Sequence, residues 1–329
     1  MEDKPISTSE VNLEPLQVDK DGVETRFAPY SVFTKTQKVT IVAFVTAAGI
    51  FSPLSAYVYF PALRTIANDY IISMELINLT VTAYLLAQAF APSILADISE
   101  RFGRRPTYIF SFVLYCAASI GLVFQRHYAI LLVLRMLQSA GSSPTVSLAF
   151  GVIGDIAAPH ERGLYVGASH VGFNLAPALG PVIGGLIAEK AGWPWIFVFL
   201  AAASGLLLVL MLLFLQETSR TVVGNGDRLP TGLNRTVAHM LLHGSKGKGA
   251  VKVKLRVPDI LPCFTMMFHK DTFPLLAAYS VFYMMYSVLQ ATTAPLFEDI
   301  YHLTPLQAGL CYLAYGFAGG TASVSRDSM

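Results

Sequence analysis

The chain has 329 residues, of which 54% are hydrophobic and only 13% charged. A soluble domain of that size cannot hide so much apolar surface, so the class is a polytopic membrane protein. The formal net charge of +2 is too small to argue for nucleic acid, and Cys116, Cys263 and Cys311 show no spacing that suggests a disulfide framework or a zinc site.

Residues 1–37 carry mixed charges without a cleavable apolar core, and read as a disordered cytosolic tail rather than a signal peptide. A helix needs about 20 apolar residues to cross ~30 Å of hydrocarbon. Windows of that kind fall at 39–62, 76–96, 106–125, 128–154, 163–188, 193–215, 272–296 and 304–324. The predicted fold class is therefore all-α, with a six-helix bundle over 38–215, a polar cytosolic loop over 216–271, and a partial second bundle of two spans over 272–329. Orientation follows from Lys and Arg. With the N-terminus inside, eighteen of them fall in cytosolic segments, and the outer loops hold three, Arg64, Arg126 and Lys190. The basic loops are thus expected on the cytosolic side.

Between spans 2 and 3 lies Ser99-Glu100-Arg101-Phe102-Gly103-Arg104-Arg105-Pro106. Composition alone makes this a topological anchor. Gly103 adds something, because a glycine permits the tight turn that so short a connection between helices demands. Arg104 and Arg105 can then reach carboxylates or helix C-termini across the cytosolic face, with Asp155 and Glu161 as available partners.

In span 4, Arg135 is the one formal charge inside the windows, and at 1.5 Å per residue it lies roughly 10 Å from the span's start. A buried cation is costly, so it is expected to face the interior or a polar cavity, with Gln138 on the same face; snorkelling outward is the alternative. In span 5, Ala168, Gly172, Ala176, Gly180, Gly184 and Ala188 recur every four residues as a small-residue ridge. Such a ridge lets another helix approach closely, either as static packing or as a surface along which bundles rock. Pro177 and Pro181 are expected to bend or loosen that helix. His170 is the one histidine inside a window and can carry a proton near neutral pH, although a lone histidine is more often structural. Tyr84, Gln88, Asn174, Tyr286 and Gln290 are candidate cavity groups, or equally helix–helix glue. The chain has no nucleophile elbow, HExxH or Walker A sequence, and 244–249 is a flexible basic linker, so an enzyme is not expected and energy must come from gradients rather than bound ATP.

Taken in order, these segments resemble the major facilitator superfamily. Ala96–Arg105 is similar to its loop 2–3 signature, Leu134–Gly141 to its span 4 signature, and Ala176–Gly185 to its span 5 antiporter signature. Gly192-Trp193-Pro194-Trp195-Ile196-Phe197 and the segment from Glu217 to Gly226 resemble parts of the twelve-span fungal drug:proton antiporters. The resemblance implies alternating access between two six-helix bundles, with proton influx driving expulsion of small organic or drug-like compounds. It implies a cytosolic latch of Glu100, Arg101, Gly103, Arg104, Arg105 and Asp155, and proton coupling through Arg135, with His170 as the other candidate. It also implies a bundle interface at Gly172, Pro177, Gly180, Pro181, Gly184 and Gly185. The cavity candidates become Tyr84, Gln88, Gln138, Asn174, Tyr286 and Gln290. Expected partners are the small-molecule substrate, protons and the lipid bilayer, with no cofactor, in the plasma membrane or alternatively the vacuolar membrane. A facilitator or uptake carrier is the alternative within transport. The pattern departs abruptly after Ser323, so spans 9–12 are expected to be missing, and a non-transporting truncated fragment is a further alternative.

Overall fold

A computed structural model describes residues 30–225, 265 and 267–313. The expected tail before residue 30, the basic linker at 244–249 and the last part of span 8 lie outside the described residues. The helices are α1 (Lys35–Tyr57), α2 (Leu63–Tyr70), α3 (Met74–Phe102), α4 (Arg104–Phe124), α5 (Tyr128–Ser142), α6 (Pro144–Ile156), α7 (Pro159–Lys190), α8 (Pro194–Phe214), α9 (Arg220–Val223) and α10 (Phe273–Tyr301). A further helix, α11, begins after Thr304 and is described to residue 313.

Local chemistry sets where they start. Thr34 and Gln37 form a reciprocal capping box at α1, and the Ser73 hydroxyl accepts from the Leu76 N–H at α3. α6, α7, α8 and α10 each carry a proline in their first two positions, where its missing N–H leaves no bond broken. That explains Pro194 between the two tryptophans: it is the first residue of α8.

Among the described residues, six helical segments are long and apolar enough to cross a membrane. The eight expected windows differ for two reasons. Span 4 lacks one N–H at Pro144, which divides it into α5 and α6 although Ser143 between them keeps helical angles (φ −61°, ψ −35°), and span 8 runs beyond the described residues. Span 7 is also longer than its window, because α10 continues to Tyr301 and so carries Glu298 and Asp299. By contrast α7 runs unbroken through Pro177 and Pro181.

The first eight helices pack as one bundle, α1 against α6 and α7, α3 against α5, and α4 against α5 and α8. Close approach needs small residues. A Cβ on Gly141 of α5 would sit 2.7 Å from the Tyr115 nitrogen and 2.8 Å from the Ser111 carbonyl oxygen of α4, so any larger residue would push these helices apart. α10 is exposed from Phe273 to Met285, but Gln290 and Ala294 are buried. It therefore meets the first bundle towards the end opposite the Gly103 loop.

Candidate functional site

Two polar constellations stand out in the first bundle. The first is at the end that carries the loop between α3 and α4. Gly103 ends one helix and begins the next at φ 109° and ψ 157°, a conformation essentially confined to glycine. With no side chain, it cannot cap α4. Glu217, beyond the end of α8, does so instead. Its Oε1 accepts from the backbone N–H groups of Arg104 (2.8 Å), Thr218 (3.0 Å) and Ser219 (2.9 Å), and its Oε2 from that of Arg105 (3.1 Å). A carboxylate at the positive end of a helix is favoured by the helix dipole. Burial pushes the Glu217 carboxyl above the usual range, while these four donors pull it down.

Arg104 completes this junction. Its Nε donates to Asp155 Oδ2 of α6 at 3.0 Å and its Nη1 to the Ser99 hydroxyl at 2.6 Å, with the guanidinium lying flat over Gly151. Arg105 is buried and donates from Nη2 to the Leu212 carbonyl near the end of α8. Arg220 donates from Nε and Nη2 to the Asp155 carbonyl and stacks 3.7 Å over the Tyr30 ring. The Thr221 hydroxyl donates to the Glu100 carbonyl. The structure thus brings Gly103, Arg104, Arg105 and Asp155 together as read from the sequence. Two members behave otherwise. The Glu100 side chain is exposed, with its backbone carbonyl as the contact, and Arg101 pairs with Asp97 one turn back on its own helix. Glu161, the alternative latch carboxylate, pairs with Lys38 instead, at 2.8 Å.

The Arg104 and Asp155 side chains are only 12% and 15% exposed, so the pair is weakly screened by water. Reversing either charge alone is expected to lower thermal stability, and the double reversal Arg104→Asp with Asp155→Arg to recover part of it. A coupling of about 1–3 kcal/mol is expected from a double-mutant cycle on detergent-solubilised protein.

The second constellation surrounds Arg135, which is 1% exposed. Its Nη1 donates to the Ser55 carbonyl (3.2 Å) and to Gln138 Oε1 (2.8 Å), and its guanidinium lies 4.1 Å from the Tyr59 ring centroid and 4.4 Å from that of Tyr84. None of these partners carries a formal charge. Around them runs a neutral network: the Gln138 amide donates to the Ser119 hydroxyl, the Ser139 hydroxyl to the Tyr84 carbonyl, and the Ser55 and Tyr115 hydroxyls meet at 2.5 Å. Cation–π contacts and oriented dipoles offset part of the cost of burying the charge. Arg135 does not snorkel.

His170 is elsewhere. It is exposed on α7 and packs against the Phe150 and Phe173 rings, outside the group around Arg135. The small-residue ridge also divides. Gly172, Gly180 and Gly184 face α1, where added Cβ atoms would meet Thr46, Tyr57 and Val58. Gly185 faces Pro305 at the start of α11, and the Pro181 carbonyl lies against Gly309. Pro177 is buried within α7. So the expected bundle interface is in large part packing inside the first bundle, and Pro181 and Gly185 are the members that touch the second.

The six cavity candidates do not line one cavity. Tyr84 and Gln138 are buried beside Arg135, Gln88 is half-buried on α3, and Asn174 is exposed. Tyr286 and Gln290 line a separate cavity of about 210 Å³ with Leu289, Thr293, Cys311 and Tyr312. Tyr286 shares a hydroxyl–hydroxyl bond of 2.7 Å with Tyr57 of α1.

The family model described as Major Facilitator Superfamily matches residues 45–326. The chain belongs to that superfamily. Among curated relatives of this transporter family it is 38% identical to MFS-type transporter phiD of a fungal species, over 98% of this chain and 50% of that one. It is 37% identical to Citrate exporter 1 of Aspergillus niger, over 88% and 56% respectively. Others are named as a multidrug transporter of Candida glabrata and as a quinidine resistance protein of Saccharomyces cerevisiae. The chain spans about half the length of the curated relatives it matches. Among solved structures, a bacterial homologue of the human lysosomal transporter Spinster, in an inward-facing and unoccupied conformation, superposes with a TM-score of 0.63 at 15% identity, over 86% of this chain and 60% of that one. That likeness shows the fold. The chain is an integral membrane protein of the major facilitator fold.

Glu217 is the important residue that sequence reasoning missed. The segment containing it supported the resemblance, but its partner is a pair of backbone N–H groups more than a hundred residues away. The available signal was a helix start with no capping side chain, Gly103 followed directly by Arg104.

Proposed function

We propose that this chain carries the transport machinery of a proton-coupled exporter of small organic molecules, with the Gly103–Arg104 junction facing the cytosol. One observation carries the reading: Arg135 is a fully buried cation held by a carbonyl, an amide and two tyrosine rings. A charge kept in a membrane interior at such cost is a functional group by default. An uncompensated cation also makes the occupancy of neighbouring sites by protons or anionic ligands depend on one another, which is the requirement for coupling. Names of relatives as an exporter and as resistance transporters support the outward direction, and the excess of Lys and Arg on one side supports the orientation. The bundle at 38–215, the loop at 216–271 and the helices from 272 then act as one carrier half, a connector and the start of the other half.

The deciding experiment is efflux of a loaded weakly amphipathic dye, or of citrate, from cells or vesicles with an imposed inward proton gradient. Efflux should accelerate several-fold with the gradient and collapse with a protonophore. Efflux indifferent to the gradient would remove the antiport reading and leave a facilitator.

A further inference from the structure

Two kinds of fastening meet where the chain leaves α8. One is buried: the Glu217 carboxylate with its four backbone donors. The other lies at the surface and comes from the segment before α1. The Tyr30 ring stacks on the Arg220 guanidinium, and its carbonyl accepts from Arg220 Nη2 at 3.2 Å. Its hydroxyl donates to the Gly154 carbonyl of α6 at 2.8 Å and accepts from Arg162 Nη2 of α7 at 3.1 Å. Two residues on, the Val32 N–H donates to the Asn225 carbonyl at 3.0 Å. Three residues thus tie the chain ahead of α1 to α6, α7, α9 and the residues just past α9. Arg220 is the shared member, because the same guanidinium holds the Asp155 carbonyl of α6. Val32, Arg162 and Arg220 are exposed, so each contact is weak singly. Contacts of this exposed kind open locally long before the fold does, whereas the buried Glu217 cap stays closed.

We propose that residues 30–32 form a releasable strap that clamps the exit of the connector onto the first bundle, with Tyr30 as its positioning residue. Closed, the strap sets Arg220 against Asp155 and holds 219–225 in place. Released, it frees α9 while the Glu217 cap remains. A closed strap shortens the connector available to the two halves and so slows transport. That effect on rate rests on the proposed carrier reading; the clamp itself does not.

The test is amide hydrogen exchange in the full chain, held in lipid nanodiscs. One set of amides is Val222, Val223 and Gly224, which donate to the Ser219 and Arg220 carbonyls. The other is Arg104 and Arg105, which donate to Glu217. Tyr30→Ala should raise exchange several-fold in the first set and leave the second unchanged. Tyr30→Phe, which keeps the ring on Arg220, should recover most of the protection. A converse arm replaces Cys116, Cys263 and Cys311 by Ser and introduces Val32→Cys with Asn225→Cys. Joining the two with a short bifunctional thiol reagent should slow exchange in the first set relative to the same protein unjoined. That arm decides if Tyr30→Ala is lost from the membrane. Unchanged exchange in both arms, or an equal rise in both sets, would overturn the proposal. In the dye-efflux assay, joining should slow flux several-fold, and equal flux would overturn the rate effect. Absence of efflux from the unjoined chain would count against the carrier reading, and the exchange result would still decide the strap.

Discussion

Replacing Arg135 with Ala is expected to abolish gradient-driven transport while leaving the protein inserted in the membrane. The two effects separate for a physical reason. The guanidinium makes two hydrogen bonds and lies against two tyrosine rings. Bonds to a charged group contribute about 1.5–3 kcal/mol each. Removing the charge also removes the cost of holding a cation in the membrane interior, about 2.5–3.5 kcal/mol on insertion scales, which offsets roughly half or more of the ~3–6 kcal/mol in the two bonds. The net loss of stability is therefore at most a few kcal/mol. Function has no such compensation, and a loss of at least about 100-fold in coupled flux, ~2.7 kcal/mol, is the expected scale. Arg135→Lys keeps the charge but loses the planar guanidinium that lies against the Tyr59 and Tyr84 rings, so it should be intermediate. Flux in vesicles, normalised to membrane-inserted protein, checks this. Normal coupled flux in Arg135→Ala would remove Arg135 from the coupling role.

Glu217→Ala should be the most damaging single change to stability at the basic junction. It leaves four backbone N–H groups without their acceptor, two of them at the start of α4. Each orphaned buried donor costs about 1–3 kcal/mol, partly relieved by water reaching the junction, so a net loss of about 3 kcal/mol is expected. Glu217→Gln makes the test specific. Three of the four bonds go to Oε1 and one to Oε2. An amide can keep the threefold acceptor but turns a donor towards the Arg105 N–H. Gln should therefore recover part of the stability and Ala none, read as apparent Tm in detergent and as abundance in the membrane. Equal Tm values for Glu217→Ala and the unmutated chain would show that the cap contributes nothing.

Much of the architecture was legible because membrane insertion filters sequence so strongly. A cation in span 4 has few places to go, and Arg135 is where that constraint puts it. Gly103 between two helices announced its positive φ. What was hidden depended on partners rather than on local pattern. A four-residue repeat of small side chains says that something approaches closely, but not that α1 takes Gly172, Gly180 and Gly184 while α11 takes Gly185. Window hydropathy reads α5 and α6 as one span, and Ser143 does join them in helical conformation, but it passes over the N–H missing at Pro144. It also stopped short of the polar end of α10, which hid Asp299 and its contact with Arg64. The fold follows from periodicity and length; the contacts between distant segments do not.

Glu217, Arg220 and Thr221 also set how far the connector between the two halves can reach. The peptide leaving α8 is fastened along α4, α6 and α3 as far as α9, and Gly224, at φ 65°, is where the chain turns away. The chain is thus held past Leu215 at least as far as Asn225, whose carbonyl accepts from the Val32 N–H at 3.0 Å. A pull on the chain from beyond Asn225 therefore acts first on Val32 and α9, and only then, through Glu217, on the N-terminus of α4.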